Sequence, residues 1–294
     1  GIPMMWVEWS VGRFGGKHGH GTTPGILYRL WKHPMAKYIG VLGIAAPVAF
    51  AVYYSYVQSW TLAYSFFSLT GKYFGISTQT EMSAFLNSFQ GTAESNYFSS
   101  LATAYIFFLI NLGIVFWVLV RGVVRGIETL AKFAMPMLLI FAMILVARVL
   151  TLGAPDPDFP ERTVMAGFAW IWNPDLSRLS EASVWLAAAG QIFFSLGIGI
   201  GSMQCYASYV RAKQDVALTG LTTSMSNGFA EVVLGSSIAI PVAVAFFGVN
   251  ATESFATGGS FDFGFQSMPL IFQQLPLGQF IGTLWFGLLF FAGI

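Results

Sequence analysis

Asn227 and Glu231 stand four residues apart in an otherwise largely apolar run, 216–249. On a helix that spacing puts an amide and a carboxylate on one face. Together they offer three oxygens and a negative charge in one direction, a donor set that suits a hard cation such as sodium. An asparagine in a span reads equally well as hydrogen-bonding glue between helices. A carboxylate is harder to explain that way, because its burial is costly. Ser195 is a second candidate: its hydroxyl either bonds the carbonyl four residues back or lends its oxygen to a ligand. Tyr54 offers a hydroxyl that can donate to a carboxylate, or it is a tyrosine at headgroup depth. Glu8, between Trp6 and Trp9, needs a protein partner or a cavity. It could brace loose backbone by accepting N–H groups.

These groups need an element to position them, and 184–211 is the one around which the chain is organised. It is apolar from Val184 to Met203 and has no Lys, Arg, Asp or Glu before Arg211. Length and polarity fit a membrane span. Its centre, however, is Ser195-Leu196-Gly197-Ile198-Gly199-Ile200-Gly201. Each glycine costs a helix about 1 kcal/mol relative to alanine, and a period of two follows no helix face. Gly197 and Gly201 alone fit a small-residue packing seam. A break at this depth bares peptide groups, which is tolerable only where they line a cavity or meet a ligand. Half-helix ends near the midplane hold anion and cation together in secondary transporters.

Composition points the same way. Hydrophobic residues make up 55% of the chain and charged residues 9%, with a mean hydropathy of +0.67. Soluble domains carry nearer 25% charge, so an all-α polytopic membrane protein is expected. A net charge of +1 with no basic, aromatic-interleaved patch gives no reason to expect nucleic acid. The single Cys205 excludes an internal disulfide and a cysteine metal site. His18, His20 and His33 in one polar stretch make a thin case for a metal.

In order, the expected elements are the back half of a span (1–11), a basic loop (12–36) and a long apolar stretch with Pro47 inside it (38–69). A soft polar stretch with Lys72, Glu81 and Glu94 follows (70–96). Next come a clean span (97–120), a tight basic connection (121–128), a span with Pro136 (131–152) and an acidic loop (153–182). The interrupted span is followed by 216–249, then by a loop (250–278) with short helices at 252–256 and 269–274. A last span opens at 278. Both ends fall inside apolar runs, so a piece of a longer chain is expected, a single domain over 1–294, with an odd number of spans, most simply one, ahead of it if the N-terminus of the whole protein is cytoplasmic. Arg13, Lys17, Arg29, Lys32, Lys37, Arg121, Arg125, Lys132, Arg211 and Lys213 flank alternate connections, against Lys72, Arg148, Arg162 and Arg178 on the others. Basic loops stay in the cytoplasm, which places 12–37 inside and 153–182 outside.

Taken together, the polar groups outline a midplane pocket. An anion would be held at half-helix dipoles and by Tyr54, beside a cation held by Asn227 and Ser195. A zwitterion moved with a cation fits better than a sugar. A pore lined by the glycines, and a membrane sensor that binds without moving its ligand, are rival readings. An enzyme is disfavoured, because no nucleophile and base are paired.

Several segments closely resemble the bacterial neurotransmitter:sodium symporters: GIPMMWVEWSVGRFGGKHGHGTTP, AVYYSYVQSWTL, RGIETLAKFAMP, GQIFFSLGIGIGSMQCYASYVR and NGFAEVVLGSSIAIPVAVAFFG. The resemblance runs over essentially the whole chain. It implies a twelve-helix, inverted-repeat transporter whose first and sixth helices are unwound, with this chain running from the end of helix two to the start of helix eight. By that resemblance Tyr54 bonds the substrate carboxylate, Phe50 walls the side-chain pocket and Phe194 closes over the substrate. Ser195 and Asn227 are ligands of one sodium, and Ala292 supplies a backbone carbonyl to a second. Glu231 stands where chloride-dependent members have serine, with Gln191 beside it, so the family pattern implies sodium dependence without chloride dependence. Tyr206 and Tyr209 resemble cytoplasmic gate residues.

Two departures bear on specificity. Gly197 replaces a side chain in the break, and Phe50 and Ile200 shift bulk from one wall to the other. The implied activity is sodium-coupled symport of a neutral, hydrophobic or aromatic amino acid by alternating access. No cofactor is expected beyond sodium as co-substrate. The implied partners are the amino acid, sodium and membrane lipid, with a homodimer left open. The expected location is the inner (plasma) membrane, crossed several times.

Overall fold

A computed structural model of the chain describes residues 1–93, 96–211 and 213–294. Among them the regular structure is helical. Glu94 lies outside the described residues. Among the described residues, four helical stretches are long and apolar enough to cross a membrane: Met35–Thr70, Ala102–Val120, Arg125–Leu150 and Val216–Phe247. The chain divides into two compact units, one made of Gly1–Tyr53 with Asp175–Val233, the other of Tyr54–Pro174 with Leu234–Ile294.

In the first unit, α1 (Ile2–Lys17) opens with Pro3 in its first turn, where a missing N–H costs nothing. It runs past the expected end of the span at Val11, because Gly12, Gly15 and Gly16 let neighbouring chain approach closely. A Cβ on Gly12 would lie 2.4 Å from the Gln204 carbonyl oxygen, and one on Gly16 2.0 Å from that of Ser208. The basic loop also holds a helix, α2 (Thr23–Leu30), with Pro24 in its first turn. The long apolar stretch is α3 (Met35–Thr70), with Pro47 in its interior. Gly40 and Gly43 on it bring its backbone against Pro24 and Thr23.

The second unit is built on an aromatic core. Tyr64, Phe67, Phe85, Phe89 and Phe286 are almost wholly buried. Tyr64 meets Phe85 edge to face, with ring centroids 5.9 Å apart, in the favoured aromatic geometry. Phe85 and Phe89 belong to α4 (Gln79–Gln90). This helix lies in the stretch expected to be soft, and it begins on a full capping box. Thr78 Oγ1 accepts the Glu81 N–H at 3.2 Å, and the Glu81 carboxylate accepts the Thr78 N–H at 3.3 Å. Hydrogen bonding of the Glu81 carboxylate by the Thr78 side chain, and by the Ser77 and Thr78 N–H groups, holds the carboxyl below the usual carboxylate range.

Next come α5 (Ala102–Val120), a π-helical turn at Val123–Ile127, and α6 (Glu128–Leu150) with Pro136 inside. The acidic loop contains α7 (Val164–Trp172), started by Thr163, whose hydroxyl accepts the Ala166 N–H at 3.0 Å. Its apolar run VMAGFAWIW packs where Gly167 meets Pro241, at 2.5 Å from an added Cβ to the proline Cα. A short 3-10 turn, Leu176–Ser180, leads into the interrupted span.

That span is α8 (Ala182–Leu196), an irregular stretch, and α9 (Ser202–Ser208). The expected discontinuity is present. The helix that carries Asn227 and Glu231 is α10 (Val216–Gly228), a π-helical segment Phe229–Gly235, and α11 (Ser236–Phe247). The loop that follows is more helical than its two expected short helices. It holds α12 (Val249–Gly258), α13 (Ser260–Asp262) with a π-helical turn after it, and α14 (Met268–Gln274). The last helix is α15 (Gly278–Gly293), packed on α6.

Candidate functional site

The break between α8 and α9 is made by three left-handed glycines. Gly197, Gly199 and Gly201 have φ of +62, +83 and +86 degrees, a conformation open to glycine and strained for other residues. α8 ends in a Schellman pair: Ile198 N–H reaches Phe193 O at 3.1 Å, and Gly197 N–H reaches Phe194 O at 3.2 Å. Beyond it, among the described residues, the carbonyls of residues 195–200 accept no backbone N–H. The α9 end begins at Gly201, where an added Cβ would sit 2.4 Å from the Gly43 carbonyl oxygen and 2.6 Å from Thr23 Oγ1. The alternating glycines therefore serve different ends: one caps a helix, and another admits the α3 backbone.

Glu8 reaches this break from α1. Its side chain is buried, and its Oε1 accepts the Gly199 N–H and the Gln204 Nε2–H, each at 3.3 Å. The carboxylate thus takes one of the bared peptide groups. The sequence signal for Gln204 is weak: an amide on the inner half of a broken span, in a chain whose Trp-flanked acid, Glu8, lies on a different element. Trp6 Nε1 donates to Ala217 O at 2.8 Å and Arg13 to Gln214 O at 2.7 Å, which fixes α1 against the start of α10.

On the other side of the break, three donors converge on one carboxylate. Gln191 Nε2 donates to Glu231 Oε1, and Ser195 Oγ donates to Glu231 Oε2. Asn227 Nδ2 donates to Ser195 Oγ at 2.6 Å and to Glu231 Oε2 at 3.3 Å. Asn227 and Glu231 meet across the junction of α10 with its π-helical segment, as the four-residue spacing requires. Local π-helical widening is frequent at functional sites. The amide nitrogen of Asn227, rather than its oxygen, faces Ser195. Turning the amide by about 180° about its soft, two-fold terminal torsion puts Oδ1 in the same place. The set can then offer the Ser195 hydroxyl, the Asn227 carbonyl and a carboxylate to a cation.

The remaining candidates fall as follows. Phe50 on α3 and Phe194 on α8 form a tilted pair, with centroids 6.2 Å apart. Ile200 lies in the break, half-buried. Tyr206 is on α9 and Tyr209 closes it; both are exposed. Tyr54, one turn along α3 from Phe50, belongs to the second unit. There its ring lies 3.3 Å from where a Cβ on Gly293 would be. Ala292, the residue before that glycine, is exposed at the end of α15.

A family model described as the sodium:neurotransmitter symporter family matches residues 94–294. The chain belongs to the sodium:neurotransmitter symporter family. Among symporter relatives, an "uncharacterized sodium-dependent transporter" of Haemophilus influenzae is 27% identical over 308 residues, covering 100% of this chain and 60% of that protein. The mouse "sodium-dependent neutral amino acid transporter B(0)AT1" is 24% identical over 273 residues, covering 87% of this chain and 40% of that protein. The fold is similar to that of the solved "crystal structure of MhsT in complex with L-phenylalanine". The TM-score is 0.78 at 25% identity, over 100% of this chain and 60% of that one. The chain therefore spans 60% of the length of the Haemophilus relative and of the MhsT chain. The family is one of transporters, not enzymes.

Proposed function

We propose that the protein carries a neutral, hydrophobic or aromatic amino acid across the inner membrane together with sodium, with residues 1–294 acting as part of one transporter domain. The observation that supports this most directly is the cluster of Ser195, Asn227 and Glu231 beside a helix break whose carbonyls accept no backbone N–H. Sodium is a substrate in this reading. Ser195 Oγ and the Asn227 side-chain oxygen would hold it, with a backbone carbonyl at Ala292 serving a second ion. The amino acid would lie against the bared peptide groups around Gly197, with Phe194, Phe50 and Ile200 shaping its side-chain pocket and the Tyr54 hydroxyl donating to its carboxylate. Tyr206 and Tyr209 would belong to the inner gate.

Glu231 has a separate part. Gln191, Ser195 and Asn227 supply three donors around it. Donors arranged in that way suit any anion, and a fixed carboxylate provides the charge from within the chain. Transport would then need sodium and no chloride. Sodium entry down a potential supplies about 2.3 kcal/mol per charge per 100 mV.

The mouse relative is named for neutral amino acids and the solved neighbour holds L-phenylalanine, which agrees with an apolar substrate side chain. The test is uptake of labelled phenylalanine, leucine and alanine by the full-length protein in liposomes. An inward sodium gradient should drive accumulation that saturates, and replacing chloride by gluconate should leave it unchanged. Flux that never saturates, or binding with no sodium-driven accumulation, would remove symport.

A further inference from the structure

Away from the broken helix, a group of cations around α2 forms no ion pair among the described residues. His20, Arg29, Lys32 and Lys37, with Tyr28 and Gly25, line a cavity of about 400 Å³ in the first unit. The sequence has no acidic residue between Glu8 and Glu81. The ion pairs found among the described residues, Lys132 with Glu128 and Arg178 with Asp175, lie elsewhere. Two contacts give the cavity its shape. A Cβ on Gly25 would lie 2.7 Å from His20 Nδ1, so glycine lets the imidazole lie against the α2 backbone. Lys37 Nζ sits 4.1 Å from the Tyr28 ring centroid. Arg29, Lys32 and Lys37 are all exposed. Cations gathered around a concave wall repel one another and concentrate anions. Guanidinium and ammonium groups together match phosphate oxygens.

We propose that this cavity binds a phosphate group, that of an anionic lipid headgroup. Free phosphate has the same chemistry, but the surroundings favour lipid. Trp31 and Tyr38 are exposed next to the cations, and Leu42 on α3 is exposed one turn beyond Tyr38. Aromatic residues between a basic segment and an apolar helix mark the headgroup layer. The charge bias of the connecting segments puts this end on the cytoplasmic side, where anionic lipid attracts basic segments.

The test is native mass spectrometry of the full-length protein with phosphatidylglycerol, phosphatidylcholine of the same acyl chains, or inorganic phosphate. The wild type should hold phosphatidylglycerol in preference to phosphatidylcholine. R29Q/K32Q/K37Q should weaken phosphatidylglycerol binding about 100-fold, with each cation contributing about five-fold. K32R/K37R, which keeps the charge, and R121Q/R125Q, which alters a different basic connection, should bind as the wild type does. If the triple variant fails to fold, single Arg29→Gln and Lys32→Gln variants should each show the smaller loss. Equal retention of the two lipids, or undiminished phosphatidylglycerol binding in the glutamine variants, would overturn the site. Inorganic phosphate binding that depends on the three cations, with no lipid retained, would overturn the lipid assignment.

Discussion

Asn227 Nδ2 donates to Ser195 Oγ at 2.6 Å, joining residues thirty-two positions apart in the chain. One residue stands at the end of α8 next to the glycine break, and the other lies on α10 just before its π-helical segment. The bond makes the break and the neighbouring helix share one polar cluster, the feature on which the sodium reading rests.

Removing that amide should therefore weaken sodium and leave the helices standing. For Asn227→Ala we expect the sodium concentration giving half-maximal substrate binding to rise about 10- to 100-fold, the range for one lost bond to a charged group. Sodium titration of labelled amino-acid binding reads this directly. An unchanged midpoint in a folded variant would take Asn227 out of the site.

Glu231 leads to a different expectation. In Glu231→Ser the donors of Gln191 and Asn227 lose their carboxylate, and an external anion should restore activity. Uptake measured in gluconate and then in chloride should rise with chloride only in the variant. A variant that ignores chloride would count against charge replacement.

The three break glycines should not respond alike to alanine. All have positive φ, and the left-handed conformation alone costs a side-chain-bearing residue about 1–2 kcal/mol. At Gly197 a new Cβ meets nothing nearer than Met203 Cε at 3.9 Å, whereas at Gly201 it meets the Gly43 carbonyl oxygen at 2.4 Å. Gly201→Ala should lower the thermal unfolding midpoint of the purified protein well below that of Gly197→Ala. Equal midpoints would mean that α3 does not approach the break as described.

Glu8 can be tested by separating charge from hydrogen bonding. Glu8→Gln keeps an oxygen for the Gly199 N–H, and Glu8→Leu leaves that donor unpaired at a cost of about 1–3 kcal/mol. Thermal unfolding should show the leucine variant much less stable than the glutamine variant. Equal losses would assign the role to the negative charge instead.

The interrupted span was legible in sequence because its cause is local: glycines at every second position deny a helix its propensity. The four-residue spacing of Asn227 and Glu231 was legible for the same reason. Short helices in the 250–278 loop were legible too, but those in the earlier polar connections, α2, α4 and α7, were not. α4 and α7 hold together through partners distant in sequence, Tyr64 for Phe85 and Pro241 for Gly167. Their acidic and polar flanks hid the apolar faces. The π-helical segment at Phe229–Gly235 has no sequence period of its own, so periodicity placed Glu231 on the right helix without showing the widened turn. Gln204 escaped notice because its partner, Glu8, is 196 residues away.

The central claim is that solutes, rather than neighbouring turns, complete the peptide groups of the break. The most direct measurement is a pair of density maps of the full-length protein, one in sodium with L-phenylalanine and one in potassium without it. The difference should be solute density against residues 195–201 and an ion within about 2.5 Å of Ser195 Oγ, given oxygen ligands at ordinary cation distances. Solute bound elsewhere, with nothing added beside the break, would contradict it.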